Sequence, residues 1–414
     1  MRLSDMTPAR GARICAIAVT LALTGAQAWA QARAPGLRPA AESAEAGLWD
    51  IMDKAEAQAR RSAEINSDPA LNDYVRNLTC KVAQEYCSEL RIYVMDRPFA
   101  NATMAPNGYG EVWSGLLLRV ESEAELAFVL GHEVSHFAEN HSAEQLQARK
   151  VRQNLVLAAS VGVAVVGVSA AAGATTYDGA QAILDATGNL IDALYLGAVA
   201  AHFRFSRENE SEADRLGLAR MAAAGYPAAA GPAMWRNTIG ESASSDFERV
   251  RKRDARLGIF DSHPLTQERV KLLDVEAARL EVTGADEGRE RLRAAIRPHL
   301  GRWLKDDLRR RDYGQTLFLI DRLARPETDL GVLEFYRGEA YRLRRHAGDE
   351  VLAEAAYVAA SAHPDAPVAL WRELGDLRKR RGDAAGARSA YETYLRLAPA
   401  AEDAWLVQDA MQAS

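Results

Sequence analysis

The sequence has no excess of positive charge. Its 414 residues include 51 Lys and Arg against 57 Asp and Glu, which gives a formal net charge of −6 at pH 7. The phosphate backbone of DNA or RNA attracts basic surfaces, so a mildly acidic protein has no electrostatic reason to bind it. Nucleic acid is therefore excluded as an expected partner.

The N-terminal residues have the three-part layout of a secretory signal peptide. Three arginines lie before or at the start of an apolar run over residues 14–26, and Ala28-Trp29-Ala30 supplies the small residues that signal peptidase accepts. The run is too short for a comfortable membrane span, although an uncleaved anchor is the alternative. We predict that residues 1–30 are removed and that the mature chain lies in the periplasm. Its remaining length suggests two or three domains.

Cysteine is scarce, with three residues in the chain. Cys15 lies in the apolar leader without a lipobox, so a lipid-modified cysteine is not expected. Cys80 and Cys87 would be about 10 Å apart on one continuous helix, too far for a disulfide. A bridge therefore requires a turn, and the change from a helical pattern through Tyr86 to the strand-like residues 90–94 allows one. In an oxidising compartment we predict a structural disulfide between Cys80 and Cys87, with free thiols as the alternative.

The rest of the chain divides into three regions by composition. Residues 31–45 are rich in Ala, Pro and Glu and are predicted to be disordered. Residues 46–285 combine helical patterns with two short strands, around Arg91–Met95 and Tyr109–Trp113, so we predict a mostly α domain with a small β-sheet. From residue 286 onward, Arg, Leu, Ala and Glu recur at helical spacing.

This last region repeats itself. Ala353 and Ala387 are 34 residues apart, as are Tyr357 and Tyr391, and this spacing is the period of the tetratricopeptide repeat. We therefore predict an α-helical tetratricopeptide-type repeat domain over residues 286–414. Repeats of this kind form extended surfaces that bind partner segments.

The pattern His-Glu-Val-Ser-His over residues 132–136 indicates a metal site on a helix that the capping box Ser122-x-x-Glu125 opens. His132 and His136 project from one face and can share an ion, while Glu133 can reach a water without being a ligand. Zinc suits this set because it binds imidazole and carboxylate tetrahedrally and keeps one position open in catalytic sites. We predict one zinc ion per chain, which activates water, with Glu133 as the catalytic general base.

A second motif, Glu210-Ser211-Glu212-Ala213-Asp214, supports this interpretation. A Glu on a second helix supplies the third protein ligand, and Asp214 could accept the free ring N–H of one ligand His. His141 points off the ligand face and is not expected to be a ligand. A lone His-Glu-x-x-His pattern also occurs by chance in ordinary helices, and the second motif argues against that reading.

The two motifs, with the segment Asn101–Gly110 before them and His263-Pro264 and Arg269 after them, resemble the zinc peptidases related to the CAAX prenyl endopeptidase and the heat-shock protease HtpX. With a signal peptide in front and repeats behind, the resemblance is strongest to periplasmic members that enhance β-barrel assembly. It implies a zincin-like catalytic domain with Glu210 as the third ligand. It also implies that His263 can act as a fourth ligand or latency switch, the alternative being a helix-entry residue before Pro264.

Residues 155–174 form an uncharged apolar stretch that is long enough to cross a bilayer. A single crossing between His136 and Glu210 would place the two motifs on opposite sides, so the chain crosses an even number of times or not at all. The second apolar stretch, residues 182–203, carries two aspartates, which are costly at mid-bilayer. We predict a helical hairpin packed on the domain or in contact with a membrane surface, rather than a spanning hairpin.

These patterns predict a periplasmic zinc metalloendopeptidase that hydrolyses misassembled or unfolded envelope and outer-membrane proteins in protein quality control. We expect Tyr109–Trp113 to be an edge strand that aligns the substrate by main-chain pairing, and the repeats to recruit substrates or the outer-membrane assembly machinery. The main alternative is a chaperone or scaffold that acts through its repeats with a latent zinc site, although such a site has no use for Glu133 as a base. A membrane-embedded prenyl-type protease is disfavoured by the weak second apolar stretch.

Overall fold

The computed structural model describes residues 32–148, 205–252, 267–280 and 285–412. Helices dominate these residues, and the named strands form one three-stranded sheet, in agreement with the predicted mostly α fold. The predicted signal peptide, both apolar stretches and His263 lie outside the described residues. Within the described part of the chain, no helix combines the length and the apolar character needed to cross a membrane.

Helices are distributed along the whole described part of the chain. Those before residue 149 are α1 (Ala44–Ala59), α2 (Pro69–Val82), α3 (Ser114–Leu117), α4 (Glu123–Ala138) and α5 (His141–Ala148). Those between residues 205 and 280 are α6 (Arg207–Ala223), α7 (Ala230–Ala243), α8 (Glu248–Lys252) and α9 (Gln267–Arg279). The C-terminal helices are α10 (Arg289–Ile296), α11 (Leu300–Leu308), α12 (Tyr313–Ala324), α13 (Leu330–Arg344), α14 (Asp349–Ala360), α15 (Ala369–Arg380), α16 (Ala384–Leu397) and α17 (Ala404–Gln412), with short 3₁₀ turns at Gln84–Tyr86 and Arg297–His299.

The sheet contains β1 (Arg91–Met95), β2 (Ala102–Met104) and β3 (Tyr109–Trp113) in the order β1-β3-β2. β3 is parallel to β1 and antiparallel to β2. Gly108 turns the chain between β2 and β3 with a φ of 83°, a conformation that favours glycine. Because β2 pairs with its second side, β3 is the central strand, and the prediction that Tyr109–Trp113 is an edge strand is wrong. The strand β2 is too short for an alternating pattern to mark it in the sequence.

Helix α4 lies at the centre of the core. The hydroxyl of Ser122 accepts from the N–H of Glu125 at 3.1 Å, and the carboxylate of Glu125 accepts from the N–H of Glu121 at 2.7 Å, so the predicted capping residues begin the helix. Every residue of α4 is buried. A helix that is buried on all sides must be surrounded by protein, and α4 is in contact with α2, β2, α6 and α7.

The hydrophobic core extends beyond the predicted domain boundary at residue 286. One cluster of buried side chains includes Phe128 of α4, Leu292 of α10, Trp303 of α11 and Ile320 of α12. Helices α10 to α12 therefore share a core with α4, and a boundary at residue 286 does not separate two cores. The change in composition there reflects the Arg-rich outer sides of these helices, and their inner sides are apolar.

A buried arginine links this C-terminal part to the rest of the core. Arg119 pairs with Glu241 of α7 and Asp307 of α11, each at 2.8 Å, and none of the three side chains is more than 7% exposed. The hydroxyl of Thr316 also donates to Asp307 at 2.7 Å. Burial by itself raises the pKa of Asp307, but the charges of Arg119 and Arg310 and these hydrogen bonds bring it down to about 2. Asp307 is therefore ionised at neutral pH.

Two successive helix pairs, α13 with α14 and α15 with α16, repeat one contact. A Cβ on Gly338 would overlap the ring of Tyr357, and a Cβ on Gly375 would overlap the ring of Tyr391 in the same way. The two tyrosines are buried in the small clusters of side chains that hold these pairs together. The tyrosines of the two contacts are the pair whose spacing stands out in the sequence, while the tetratricopeptide assignment stays a prediction.

Cys80 and Cys87 form a disulfide, with their Cα atoms 4.7 Å apart. Helix α2 ends at Val82, and the 3₁₀ turn after it brings Cys87 back toward Cys80. This is the turn that the disulfide requires, because a continuous helix would hold the two cysteines too far apart.

The segment before α1 is fixed by contacts, which differs from the predicted disorder of residues 31–45. Arg33 is 6% exposed, and its N–H donates to the carbonyl of Ala138 at the end of α4 at 2.6 Å. Its guanidinium donates to Glu45 at 2.8 Å and to Asn140 at 2.9 Å, and it lies over the ring of Phe137. Composition alone predicts disorder because the segment has few apolar residues, yet one buried arginine anchors it.

Candidate metal centre

Helices α4 and α6 cross in close contact at two glycines. A Cβ added to Gly217 would lie 2.9 Å from the backbone N of His132, and one added to Gly131 would lie 3.0 Å from the carbonyl oxygen of Gly217. Neither helix could carry a side chain there without moving away from the other. The contact brings Glu210, two turns before Gly217, toward the histidines of α4. A single Gly within a helical pattern is a weak signal, so neither glycine stands out in the sequence.

Three side chains from these two helices bring their donor atoms together. His132 Nε2 lies 3.1 Å from His136 Nε2 and 3.7 Å from one carboxylate oxygen of Glu210, and His136 Nε2 lies 3.8 Å from the other. Donor atoms arranged tetrahedrally around zinc, with bonds of about 2.0–2.1 Å, would be about 3.3 Å apart. The two imidazoles and the carboxylate therefore fit zinc in both chemistry and spacing. Among the described residues, these three form the group that could hold a metal ion.

The other two glutamates of the motifs lie outside this group. Glu133 follows His132 on α4 and is buried, but it is not among the three clustered donors. Glu212 is 46% exposed, and its carboxylate lies 3.4 Å from His141 Nε2. The structure thus brings together the three side chains predicted as ligands and places Glu133 beside them. Their roles as ligands and base stay predictions.

A buried carboxylate lies behind His132. Asp214, one turn after Glu210 on α6, is 3.1 Å from His132 Nδ1, the side of the ring that faces away from the donor cluster. Burial by itself raises the pKa of Asp214, but the charge of Arg269 and the contact with His132 bring it down to about 2. Asp214 is therefore an ionised carboxylate beside His132 Nδ1, which is the position that its spacing predicts.

Arg269 on α9 holds the two carboxylates of α6 in place. Its guanidinium donates to both oxygens of Asp214, at 2.8 and 2.9 Å, and its third nitrogen lies 3.0 Å from Glu210. Burial lowers the pKa of Arg269, but Asp214 and Glu210 raise it by more. In the sequence, Arg269 stands out only through the family resemblance. The signal that could have indicated its role is a positive charge that follows two motifs rich in carboxylates.

A different arrangement lies behind His136. His136 Nδ1 is 2.9 Å from His141 Nδ1, and the ring of Phe205 stacks on His136 with centroids 3.8 Å apart and planes at 15°. Asn140, with a φ of 55°, lies between α4 and α5 and turns the chain back, so that His141 returns to the side of His136. His141 is not one of the clustered donors, but the prediction that it points away did not anticipate this contact, because it placed His132 and His141 on one helix and α4 ends at Ala138.

Comparison with known proteins agrees with this geometry. The sequence profile of peptidase family M48 matches residues 66–277, which are 212 of the 414 residues. A Vibrio cholerae protein provisionally named beta-barrel assembly-enhancing protease is 30% identical over 176 residues, 42% of this chain and 34% of that protein. The mitochondrial metalloendopeptidase OMA1 of Arabidopsis thaliana is 30% identical over 184 residues, 44% of this chain and 30% of that protein.

A third relative has a similar name and lower identity. The beta-barrel assembly-enhancing protease of Escherichia coli K12 is 24% identical over 191 residues, 45% of this chain and 37% of that protein. The chain therefore spans about a third of the length of each of these relatives. The residues matched by the family profile, 66–277, include the donor cluster.

Proposed function

Since the chain belongs to peptidase family M48, we propose that this zinc-dependent metallopeptidase hydrolyses misassembled or unfolded proteins of the bacterial envelope. The observation that carries the proposal is the convergence of His132, His136 and Glu210 beside Glu133 in the buried interface of α4 and α6. A structural zinc site needs only the ligands. A buried carboxylate next to the first ligand suits a site that also moves a proton.

His132, His136 and Glu210 would hold the zinc, which acts as a Lewis acid that polarises the scissile carbonyl and makes water more acidic. Glu133 would take a proton from the attacking water and pass it to the leaving amine. Asp214 would hold the Nδ1–H of His132, so that Nε2 of the same ring is directed at the donor cluster. Arg269 would keep Asp214 ionised and would hold the carboxylates of Asp214 and Glu210 in place.

The sheet suggests how a substrate is aligned. We assign this role to β2, because β2 is the edge strand that lies in contact with α4. A substrate segment that pairs with β2 must offer its own backbone in an extended form. Folded proteins rarely expose such a segment, whereas unfolded chains do, and this supports unfolded proteins as the substrates.

The envelope as the location rests on three observations. The N-terminus has the layout of a signal peptide, the pair Cys80–Cys87 is bridged, and two relatives are named for β-barrel assembly. A disulfide is favoured in an oxidising compartment such as the periplasm. In this proposal helices α13 to α17 recruit the substrate or the outer-membrane assembly machinery.

The substitution Glu133→Gln tests the proposal, because it removes the base and keeps the size of the side chain. We expect the variant to bind one zinc per chain and to lose casein hydrolysis by about 100-fold or more, since a general base contributes about 10²–10⁴-fold. Zinc content by atomic absorption and cleavage rates on casein provide the measurement. Glu139→Gln, just after the end of the same helix, is the matched control and should stay active.

Two results would contradict the proposal. Stoichiometric zinc with unchanged hydrolysis in Glu133→Gln would remove Glu133 from the mechanism. If the variant lost hydrolysis in vitro but supported outer-membrane protein assembly in cells as well as the natural chain does, the alternative of a chaperone or scaffold would be favoured.

A further inference from the structure

The buried His141 and the half-exposed Glu212 form a second chain of polar contacts that the proposed mechanism does not use. His136 Nδ1 lies 2.9 Å from His141 Nδ1, and His141 Nε2 lies 3.4 Å from a carboxylate oxygen of Glu212. We propose that His141 is a positioning residue, which accepts the Nδ1–H of His136 and so directs Nε2 of His136 at the zinc. The inference rests on the proposed function, since it takes His136 as a ligand.

The direction of the hydrogen bonds follows from the chemistry of imidazole. A neutral ring carries one N–H, and His136 can offer Nε2 as a ligand only if its proton is on Nδ1. Nδ1 of His141 lies 2.9 Å from the nitrogen that carries this proton, so it must be an acceptor and carry its own proton on Nε2. That nitrogen faces the carboxylate of Glu212. One consistent set of protons therefore runs from His136 through His141 to Glu212.

The surroundings of His141 favour this arrangement. The side chain is buried, and its Nδ1 lies 2.9 Å from Nδ1 of His136, so the two rings are in direct contact away from solvent. The stacked ring of Phe205 fixes the plane of His136, so a hydrogen bond at Nδ1 is enough to fix which way Nε2 points. Phe205 thus holds the face of the His136 ring, and His141 fixes the direction of its edge.

The two histidine ligands would then be supported by different groups. His132 is backed by the ionised carboxylate of Asp214, which is itself held by Arg269. His136 is backed by a neutral imidazole. A carboxylate raises the basicity of a ligand histidine more strongly than a neutral acceptor does, so His141 would contribute mainly orientation.

The experiment compares three variants of the full chain by their zinc dissociation constants, measured by competition with a chromogenic chelator. His141→Leu removes the acceptor, and we expect its affinity for zinc to fall by about 10–100-fold, as for other residues that orient metal ligands. His141→Asn places its side-chain oxygen close to the former Nδ1, and we expect it to recover most of the lost affinity. Glu144→Gln, on the same helix, disturbs the contact between Glu144 and Asn209 of α6, keeps the contact of His141 with His136 and should bind zinc normally.

A spectroscopic measurement separates orientation from general packing. In the zinc-loaded chain with ¹⁵N-labelled histidine, the Nδ1–H of His136 should give a downfield, slowly exchanging proton signal. The signal should persist in His141→Asn and disappear in His141→Leu. Both variants are compared at equal fold content, judged by circular dichroism.

Unchanged zinc affinity and an unchanged signal in His141→Leu would overturn the inference. Equal losses of affinity in His141→Leu, His141→Asn and Glu144→Gln would also overturn it, because they would show only that α5 must pack on α6. The substitution His136→Ala distinguishes this failure from failure of the proposed function. If His136→Ala loses zinc while His141→Leu does not, the metal site stands and the role of His141 is wrong.

Discussion

Glu210 and Glu212 are two residues apart on one helix and face different histidines. Glu210 lies within 4 Å of both His132 and His136, whereas Glu212 contacts His141. We therefore predict that Glu210→Ala weakens zinc binding by more than about 100-fold, beyond the effect of a residue that only orients a ligand. Glu212→Ala should still bind one zinc per chain at micromolar metal. Chelator competition on both variants is the measurement. If Glu212→Ala lost zinc and Glu210→Ala kept it, Glu212 would be the third ligand.

Asp307 is predicted to make the stability of the protein depend on pH in acid. Its pKa is lowered from 3.8 to about 2 by Arg119, so the stabilisation is complete above pH 3.8 and is lost as the pH falls toward 2. A difference of this size corresponds to about 2 kcal/mol. In Asp307→Asn, urea unfolding should show a loss of about 3–5 kcal/mol at pH 6, because Arg119 loses a buried partner. The difference from the natural chain should shrink between pH 4 and pH 2.

A neighbouring residue provides the control for this experiment. Asp306 forms a pair with Arg309, whose side chain is 71% exposed, and surface pairs contribute less than about 1 kcal/mol. Asp306→Asn should therefore change stability little at any pH. Equal and pH-independent losses in the two variants would show that the link between Arg119 and Asp307 is not the cause. Zinc release in acid affects all the chains alike and cancels in the differences.

The residues of the candidate site differ in how far the sequence could identify them. His132 and His136 follow from helical spacing alone, because residues four apart lie on one face. The choice of Glu210 over Glu212 came from a resemblance, since either carboxylate could reach from a second helix. The contact of His141 with His136 depends on where α4 ends, and a single residue at positive φ, Asn140, decides that. Helix ends are among the least certain features of a sequence-based prediction.

At the scale of elements, the crossing of α4 and α6 is predicted to control the metal site. Gly217→Ala adds a Cβ that would lie 2.9 Å from the backbone of His132, where no flexible side chain can move aside. The substitution favours an isolated helix by about 1 kcal/mol, yet we expect lower stability and weaker zinc binding because the helices must separate. Thermal unfolding and chelator competition measure both effects.

Gly47→Ala is the matched control for this substitution. Gly47 also lies within a helix, α1, and a Cβ there would meet nothing within 4 Å. It should gain stability by about 0.5–1 kcal/mol and leave zinc affinity unchanged. A gain of stability with normal zinc binding in Gly217→Ala would mean that the close crossing does not position Glu210.

The sheet shows which elements the sequence could predict and which it could not. The strand pattern located residues 91–95 and 109–113 with the bounds that the structure has. It did not locate the pairing of β3 with the three-residue β2, and so it placed the free edge on the wrong strand. Strand pairing depends on contacts between distant residues, whereas alternation is a local property.

At the scale of the whole molecule, the shared core predicts where the chain can be cut. A chain that ends at Ala366 keeps α4 and α10 to α14, so it should bind zinc and hydrolyse casein at close to the natural rate. It lacks α15 to α17, and we expect slower cleavage of an outer-membrane protein in cells. A chain that ends at Arg291 lacks Leu292 and Trp303 from the core, and it should bind no zinc.

Circular dichroism, zinc content and peptide hydrolysis measure the integrity of both truncated chains. The face of α14 that packs on α15 becomes exposed in the longer one, so a lower melting temperature with normal zinc content is compatible with the prediction. A folded, zinc-loaded chain ending at Arg291 would show that α10 to α12 are dispensable for the core. A chain ending at Ala366 that clears the cellular substrate normally would remove the recruiting role of the last helices.

Helix α4 depends on helices that come later in the chain, and this affects when the site can form during synthesis. The N–H of Ala124, at the start of α4, donates to the carbonyl of Glu287 at 3.0 Å, and Leu292 belongs to the same apolar cluster as α4. A polypeptide is synthesised from its N-terminus, so the two histidines emerge before the helices that enclose them. During that interval α4 has no complete core and its site cannot be assembled. We therefore expect the site to form only after residues 287–292 have been made, which would keep the proposed activity off during synthesis.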